Sequence, residues 1–149
     1  MKQIRKMKAQ DLNQVMEIWL CGNLEAHPFV DETYWKDNES YVREAIALAE
    51  VLVVEEDGGI CAFAGLDEDY IAGIFVKSEY RSKGFGKALL DALKKDHDSL
   101  SLHVYEKNER ALRFYSREGF SLKMKSVDEN TGEAECEMFW SKPQRGVND

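Results

Sequence analysis

Two hydrophobic periods run along the chain, and the change between them divides it. Gln3–Lys6 is a short predicted strand. After it, Leu12, Val15, Met16 and Trp19 recur at the spacing of one helical face. Asp11 stands where an N-cap belongs, Gln14 follows in a capping-box arrangement, and Gly22 offers a stop. Residues 23–31 read as a loop carrying His27-Pro28-Phe29. A second helix is predicted from Tyr34 or Glu39 to Ala49, with Val42, Ala45, Ile46 and Ala49 on one face. From Val51 the period shortens. Val51–Glu55 and Ile60–Leu66 read as a hairpin about Asp57-Gly58-Gly59, and Asp67-Glu68-Asp69 turns the chain again. Tyr70–Val76, YIAGIFV, is apolar on both faces, which predicts a central strand covered on both sides.

A loop over Lys77–Lys83, a helix from about Gly84 to His97 and a strand over Leu100–Tyr105 follow. Strand, helix and strand from Tyr70 to Val104 together have the size of a βαβ unit. Asn108 is placed to cap a further helix that ends at Gly119. Phe120–Val127 and Glu135–Trp140 alternate as two strands around Asn130-Thr131-Gly132. No repeat or linker interrupts the pattern. The expectation is one α/β or α+β domain over residues 1–141, with 142–149 as a polar tail.

Composition narrows the class. A chain of 149 residues that is 44% hydrophobic can build one core without a metal or a disulfide. Its 7 Phe, 6 Tyr and 3 Trp exclude low-complexity disorder. No apolar run approaches the ~20 residues that span a bilayer. Met1–Lys8 is basic but lacks a signal peptide's apolar stretch, so the chain reads as cytoplasmic, with no membrane partner. With 20 Lys and Arg against 28 Asp and Glu, the net charge of -8 disfavours nucleic acid as a partner. Cys21, Cys61 and Cys136 form an odd, sparse set that reads as reduced thiols, Cys61 and Cys136 filling core strands. His27, His97 and His103 are scattered, and no Cys/His pair has ligand spacing, so no metal is expected.

One stretch reverses the local charge. Arg81-Ser82-Lys83-Gly84-Phe85-Gly86-Lys87 follows the apolar strand and opens a helix. A helix N-terminus has N–H groups without intrahelical partners, and its dipole favours an anion by roughly 0.3 to 2 kcal/mol. Gly84 and Gly86 clear side chains from the place where a ligand would touch backbone, while Arg81, Lys83 and Lys87 add cations. The combination describes a pyrophosphate cradle. It is neither of the common nucleotide motifs. Arg81 stands where the P-loop needs its first Gly, and Leu89 where the dinucleotide fingerprint needs its third.

Arg81-x-x-Gly84-x-Gly86 resembles the acetyl-CoA pyrophosphate motif of the GNAT superfamily of N-acetyltransferases. Asn108 through Tyr115, with Glu118-Gly119-Phe120, resembles that family's second motif. Ile18-Trp19-Leu20, His27-Pro28-Phe29 and Tyr34-Trp35 are similar to a small bacterial subgroup that includes protein-lysine acetyltransferases. Ser78 and Ser82 depart from the pattern, standing where many relatives have Pro and Gly.

The resemblance implies a mixed, mostly antiparallel sheet with a splayed parallel strand pair, flanked by about four helices. It implies acetyl-CoA as donor, with no metal, and an amine acceptor on a protein or a small molecule, the chain acting as a monomer or homodimer. Backbone groups of Ile74, Phe75 and Val76 would pair with the pantetheine arm. Arg81, Ser82, Lys83, Gly84, Phe85, Gly86 and Lys87 would hold the diphosphate, and Asn108 would add a contact. Asn108 is equally a helix N-cap, and Gly73 is either a bulge or a packing position. Tyr115 lies on a core-facing stripe with Ala111 and Phe114, yet it aligns with the family's general acid. Tyr70 and His27 are the expected acceptor-lining residues. The amine must lose a proton, and Glu68, Asp69, Tyr70, His27 and His103 all remain open as its route. The favoured acceptor is a protein lysine or N-terminal amine. The alternatives are a small-molecule amine and a non-catalytic acyl-CoA-binding sensor.

Overall fold

The computed structural model describes residues 2–143. Its strands are β1 (Gln3–Lys6), β2 (Glu50–Glu56), β3 (Gly59–Asp67), β4 (Tyr70–Val76), β5 (Ser99–Tyr105), β6 (Ser121–Val127) and β7 (Ala134–Ser141). Its helices are α1 (Leu12–Ala26), α2 (Glu32–Asp37), α3 (Glu39–Leu48), α4 (Phe85–Asp96) and α5 (Glu109–Arg117). The strands form one sheet in the order β1-β2-β3-β4-β5-β7-β6. Every neighbouring pair is antiparallel except β4 and β5, which are joined through α4. Lys142 N–H donates to the carbonyl of Asp98, and positions 144–149 of the expected tail lie outside the described residues.

Strand alternation sends successive side chains to opposite faces, and each face buries its own core. Val54, Ala62, Leu100, Leu102, Val104 and Met138 meet Leu89, Leu90 and Leu93 of α4 and Tyr115 of α5. Val51, Val53 and Phe63 point the other way, to Val15, Met16 and Trp19 of α1 and Trp35 and Ile46 of α2 and α3. Cys61 and Cys136 are buried thiols in these strands, and burial pushes the Cys61 thiol up to about 11.

Several expectations are corrected. Helix α1 does not stop at Gly22 but runs to Ala26, so the loop begins only at His27. A Cβ at Gly22 would lie 2.8 Å from Phe75 Cδ1, so this glycine lets the helix approach β4. The Asp11–Gln14 capping box does not form. Asp11 caps a preceding 3-10 turn (Ala9–Asp11) by accepting from Lys8 N–H and from Arg5, and Gln14 accepts from Ile60 N–H. Of the two starts expected for the helix ending near Ala49, Glu39 is the one found, and a separate short helix precedes it, divided from it at Asn38, whose side chain donates to the Tyr34 carbonyl at 2.7 Å. Among the described residues five α-helices flank the sheet, in keeping with the expected architecture of a mixed sheet flanked by about four.

β4 is also less covered than its apolar sequence predicts. Ile74, Phe75 and Val76 are only partly buried. Ladder pairing with β5 is confined to Tyr70↔Ser101, where Ser101 N–H donates to the Asp69 carbonyl at 3.0 Å. Beyond that point the two parallel strands separate, and their facing backbone edges have no ladder. On β4's other edge the register with β3 skips Ala72, a bulge beside Gly73.

Candidate active site

The mouth of the split strand pair opens beside the start of α4. A 3-10 turn (Ser78–Tyr80) leads from β4 into a loop where Ser82 has φ 64° and Gly84 has φ 85°. Gly84 thus needs its freedom for conformation, since a Cβ there would meet nothing within 4 Å. The first helical bond runs from Ala88 N–H to the Gly84 carbonyl, so the N–H groups of Phe85, Gly86 and Lys87 precede the ladder. No side chain caps them. Phe85 anchors the turn, its buried ring stacked on Tyr80 at 5.8 Å, so only its main chain is available to a ligand.

The expected cations are less free than the sequence implies. Arg81 pairs with Glu25 at the end of α1 at 2.8 Å. Lys87 pairs with Glu118 at 3.1 Å and Asp91 at 3.2 Å. Lys83 sits over the Tyr80 ring. The sequence reading passed over Lys107, Arg110 and Arg113, which join Arg81, Glu25 and Asn108 around a cleft of about 400 Å³. The spacing of Arg110 and Arg113 along one helix face was the available signal.

Asn108 caps α5 by accepting from Ala111 N–H at 3.2 Å. That use of its oxygen turns its amide nitrogen to His27 Nε2, 3.4 Å away. His27 closes the end of α1 within an aromatic box. It stacks on Trp35 at 5.3 Å and meets Phe29 and Tyr105 edge-on. Burial pushes His27 down to about 4, so it is neutral near pH 7. Tyr115, on α5, lies in the core of the α4–α5 face between Phe114 and Phe120. Burial holds its phenol well above the usual tyrosine value.

The opposite face of the split is open and acidic. Tyr70 meets His103 there, hydroxyl to Nδ1 at 2.8 Å. Glu137 stands directly across the ladder from His103, and Glu135 across from Tyr105. Tyr105 donates to Asp128 at 2.6 Å. Among the described residues no helix is long and apolar enough to cross a membrane, and no group of three His, Cys, Asp or Glu is placed to hold a metal.

A sheet parted at its single parallel pair, with a helix N-terminus at the opening, offers backbone N–H groups to an anionic ligand. Residues 47–122 match the acetyltransferase (GNAT) domain family. The chain is 36% identical to peptidyl-lysine N-acetyltransferase YiaC of Escherichia coli (strain K12) over 80% of its own length and 83% of that protein's. In fold it resembles apo YjaB from Escherichia coli, with a TM-score of 0.84 and 22% identity over 94% of this chain and 97% of that one. It also resembles the PaiA N-acetyltransferase of Thermoplasma acidophilum solved with coenzyme A, with a TM-score of 0.79 and 20% identity over 95% and 99%. The chain belongs to the GNAT family of acetyltransferases and is an acetyl-CoA-dependent N-acetyltransferase.

Proposed function

We propose that the acceptor is the side-chain amine of a protein lysine, acetylated by direct attack in a ternary complex. The observation that carries this reading is the parting of β4 and β5, whose ladder is confined to Tyr70↔Ser101. The diphosphate of acetyl-CoA lies on the N–H groups of Phe85, Gly86 and Lys87, within the loop Arg81–Gly84. Asn108 and the backbone of Ile74, Phe75 and Val76 line the pantetheine arm. The thioester then sits between Tyr115 on one face and Tyr70 on the other.

The amine attacks the thioester carbonyl, a tetrahedral oxyanion forms, and a thiolate departs. Strand N–H groups near Val76 stabilise the oxyanion. Tyr115, kept protonated by its buried setting, gives the thiolate its proton. Holding amine and thioester together supplies much of the remaining rate gain. Glu135, Glu137 and Asp128 give the acceptor face a negative wall suited to a lysine cation, and His27, through Asn108 and Trp35, shapes its edge. Similarity to a peptidyl-lysine acetyltransferase over most of both chains supports a protein acceptor. The free thiols Cys21, Cys61 and Cys136 suit work in the reducing cytoplasm.

The test is an acceptor panel with acetyl-CoA: an N-terminally blocked lysine peptide, the same sequence with only an N-terminal amine, spermidine and an aminoglycoside. The lysine peptide is expected to gain acetyl at its side chain, read by mass spectrometry, faster than the other three turn over. Turnover confined to spermidine or the aminoglycoside would overturn the lysine assignment.

A further inference from the structure

The two faces of the β4–β5 split are chemically unlike. The α4–α5 face holds the buried phenol of Tyr115. The other face holds a hydrogen-bonded Tyr70–His103 pair at the crotch of the split, where β4 and β5 make their one ladder contact, Tyr70↔Ser101. Direct attack needs a proton donor on the thiolate side and a proton acceptor on the amine side. We propose that Tyr70 and His103 form the path that takes the proton from the acceptor amine, Tyr70 touching the amine and His103 acting through it as a positioning residue and final proton holder. This inference rests on the acetyl-transfer geometry proposed above.

Three observations carry it. Leu102 and Val104 bury in the α4–α5 core, so strand alternation turns His103 to the opposite face, as its exposure shows. The Tyr70 hydroxyl contacts Nδ1, and the rings are tilted at 5.5 Å. The charged groups facing His103 are Glu137, directly opposite on β7, and Glu135 on the same strand, and both are acidic. The two glutamates thus place negative charge on the face that His103 shares. Burial and the two glutamates also hold the Tyr70 phenol above its ordinary value, so Tyr70 passes a proton and does not act as a phenolate base.

The proton count closes. Neutral His103 carries its proton on Nε2 and accepts from Tyr70 at Nδ1. An N–H bond of the acceptor ammonium breaks as an O–H bond forms on Tyr70, and the original Tyr70 O–H breaks as Nδ1–H forms. The imidazolium then releases its Nε2 proton to solvent and the neutral amine attacks, leaving His103 as the Nδ1–H tautomer, which returns to the Nε2–H form by proton exchange with solvent before the next turnover.

Two measurements on the full chain test the proposal. The first needs no turnover. Nitrogen NMR of histidine-labelled protein at pH 8 should show His103 with Nδ1 unprotonated and Nε2 protonated, assigned through His103→Gln. Tyr70→Phe should move it towards a tautomer mixture. A mixed tautomer already present in the unsubstituted protein would overturn the pair. The second is kcat/KM against pH with the blocked lysine peptide. His103→Gln should lose roughly 100-fold near pH 7, and the deficit should close as pH approaches the amine's own pKa of about 10.4. Tyr70→Phe should show the same closing deficit. His103→Ala should recover activity with added imidazole. An equal loss at every pH, or none, would overturn the relay. Failure of the unsubstituted enzyme on the peptide would instead count against the lysine acceptor, leaving the tautomer measurement to decide the pair.

Discussion

At the scale of single residues, the account turns on Tyr115. It is buried, its ring packs on two phenylalanines, and burial holds its phenol well above the usual tyrosine value, so it stays protonated as a proton donor must. Tyr115→Phe keeps the packed ring and should fold as the unsubstituted protein does. It should lower kcat by about 100-fold or more, while acetyl-CoA affinity measured by calorimetry stays unchanged. Unchanged kcat would remove Tyr115 from the chemistry. The sequence alone left this residue divided between packing and catalysis, because one helical stripe serves both. His103 was legible as one of several candidate proton acceptors, but its pairing with Tyr70 was not, since that contact spans 33 residues of chain.

At the scale of elements, local chemistry was readable where it is self-contained. Asn108 caps α5 as its position before the helical pattern implies, and the glycine loop opens α4 where the charge reversal places it. Gly22 was misread because a helix stop and a close helix–strand contact call for the same residue, and only Phe75 decides between them. The helix start at Glu39 was one of two open readings, and the amide side chain of Asn38, which competes for the Tyr34 carbonyl, decides between them. The parting of β4 and β5 leaves no mark in either strand's own pattern, and only the resemblance supplied it. For α4 the expectation is specific. An acidic residue at a helix start is compatible with the helix dipole, so Gly84→Asp should leave the helix formed despite about 1 kcal/mol of strain at positive φ. It should abolish acetyl-CoA binding by placing a carboxylate where the diphosphate lies. Equal calorimetric affinity in the variant would count against the cradle.

At the scale of the whole molecule, one sheet separates two cores and two chemistries. In the proposed arrangement the donor enters beside α4 and α5, where Arg81, Lys107, Arg110 and Arg113 share a cleft with Glu25 and Glu109 in a chain of net charge -8. The α1–α3 side presents Glu135, Glu137 and Asp128 to a cationic acceptor, and this charge division steers encounter. The split between β4 and β5 is where the sides communicate. A crystal structure with acetyl-CoA tests this arrangement most directly. The account predicts the diphosphate on the N–H groups of residues 85–87, the pantetheine arm between β4 and β5, and the thioester sulfur beside the Tyr115 hydroxyl. A nucleotide seated on another surface, or β4 and β5 zipped together with the cofactor outside them, would contradict it.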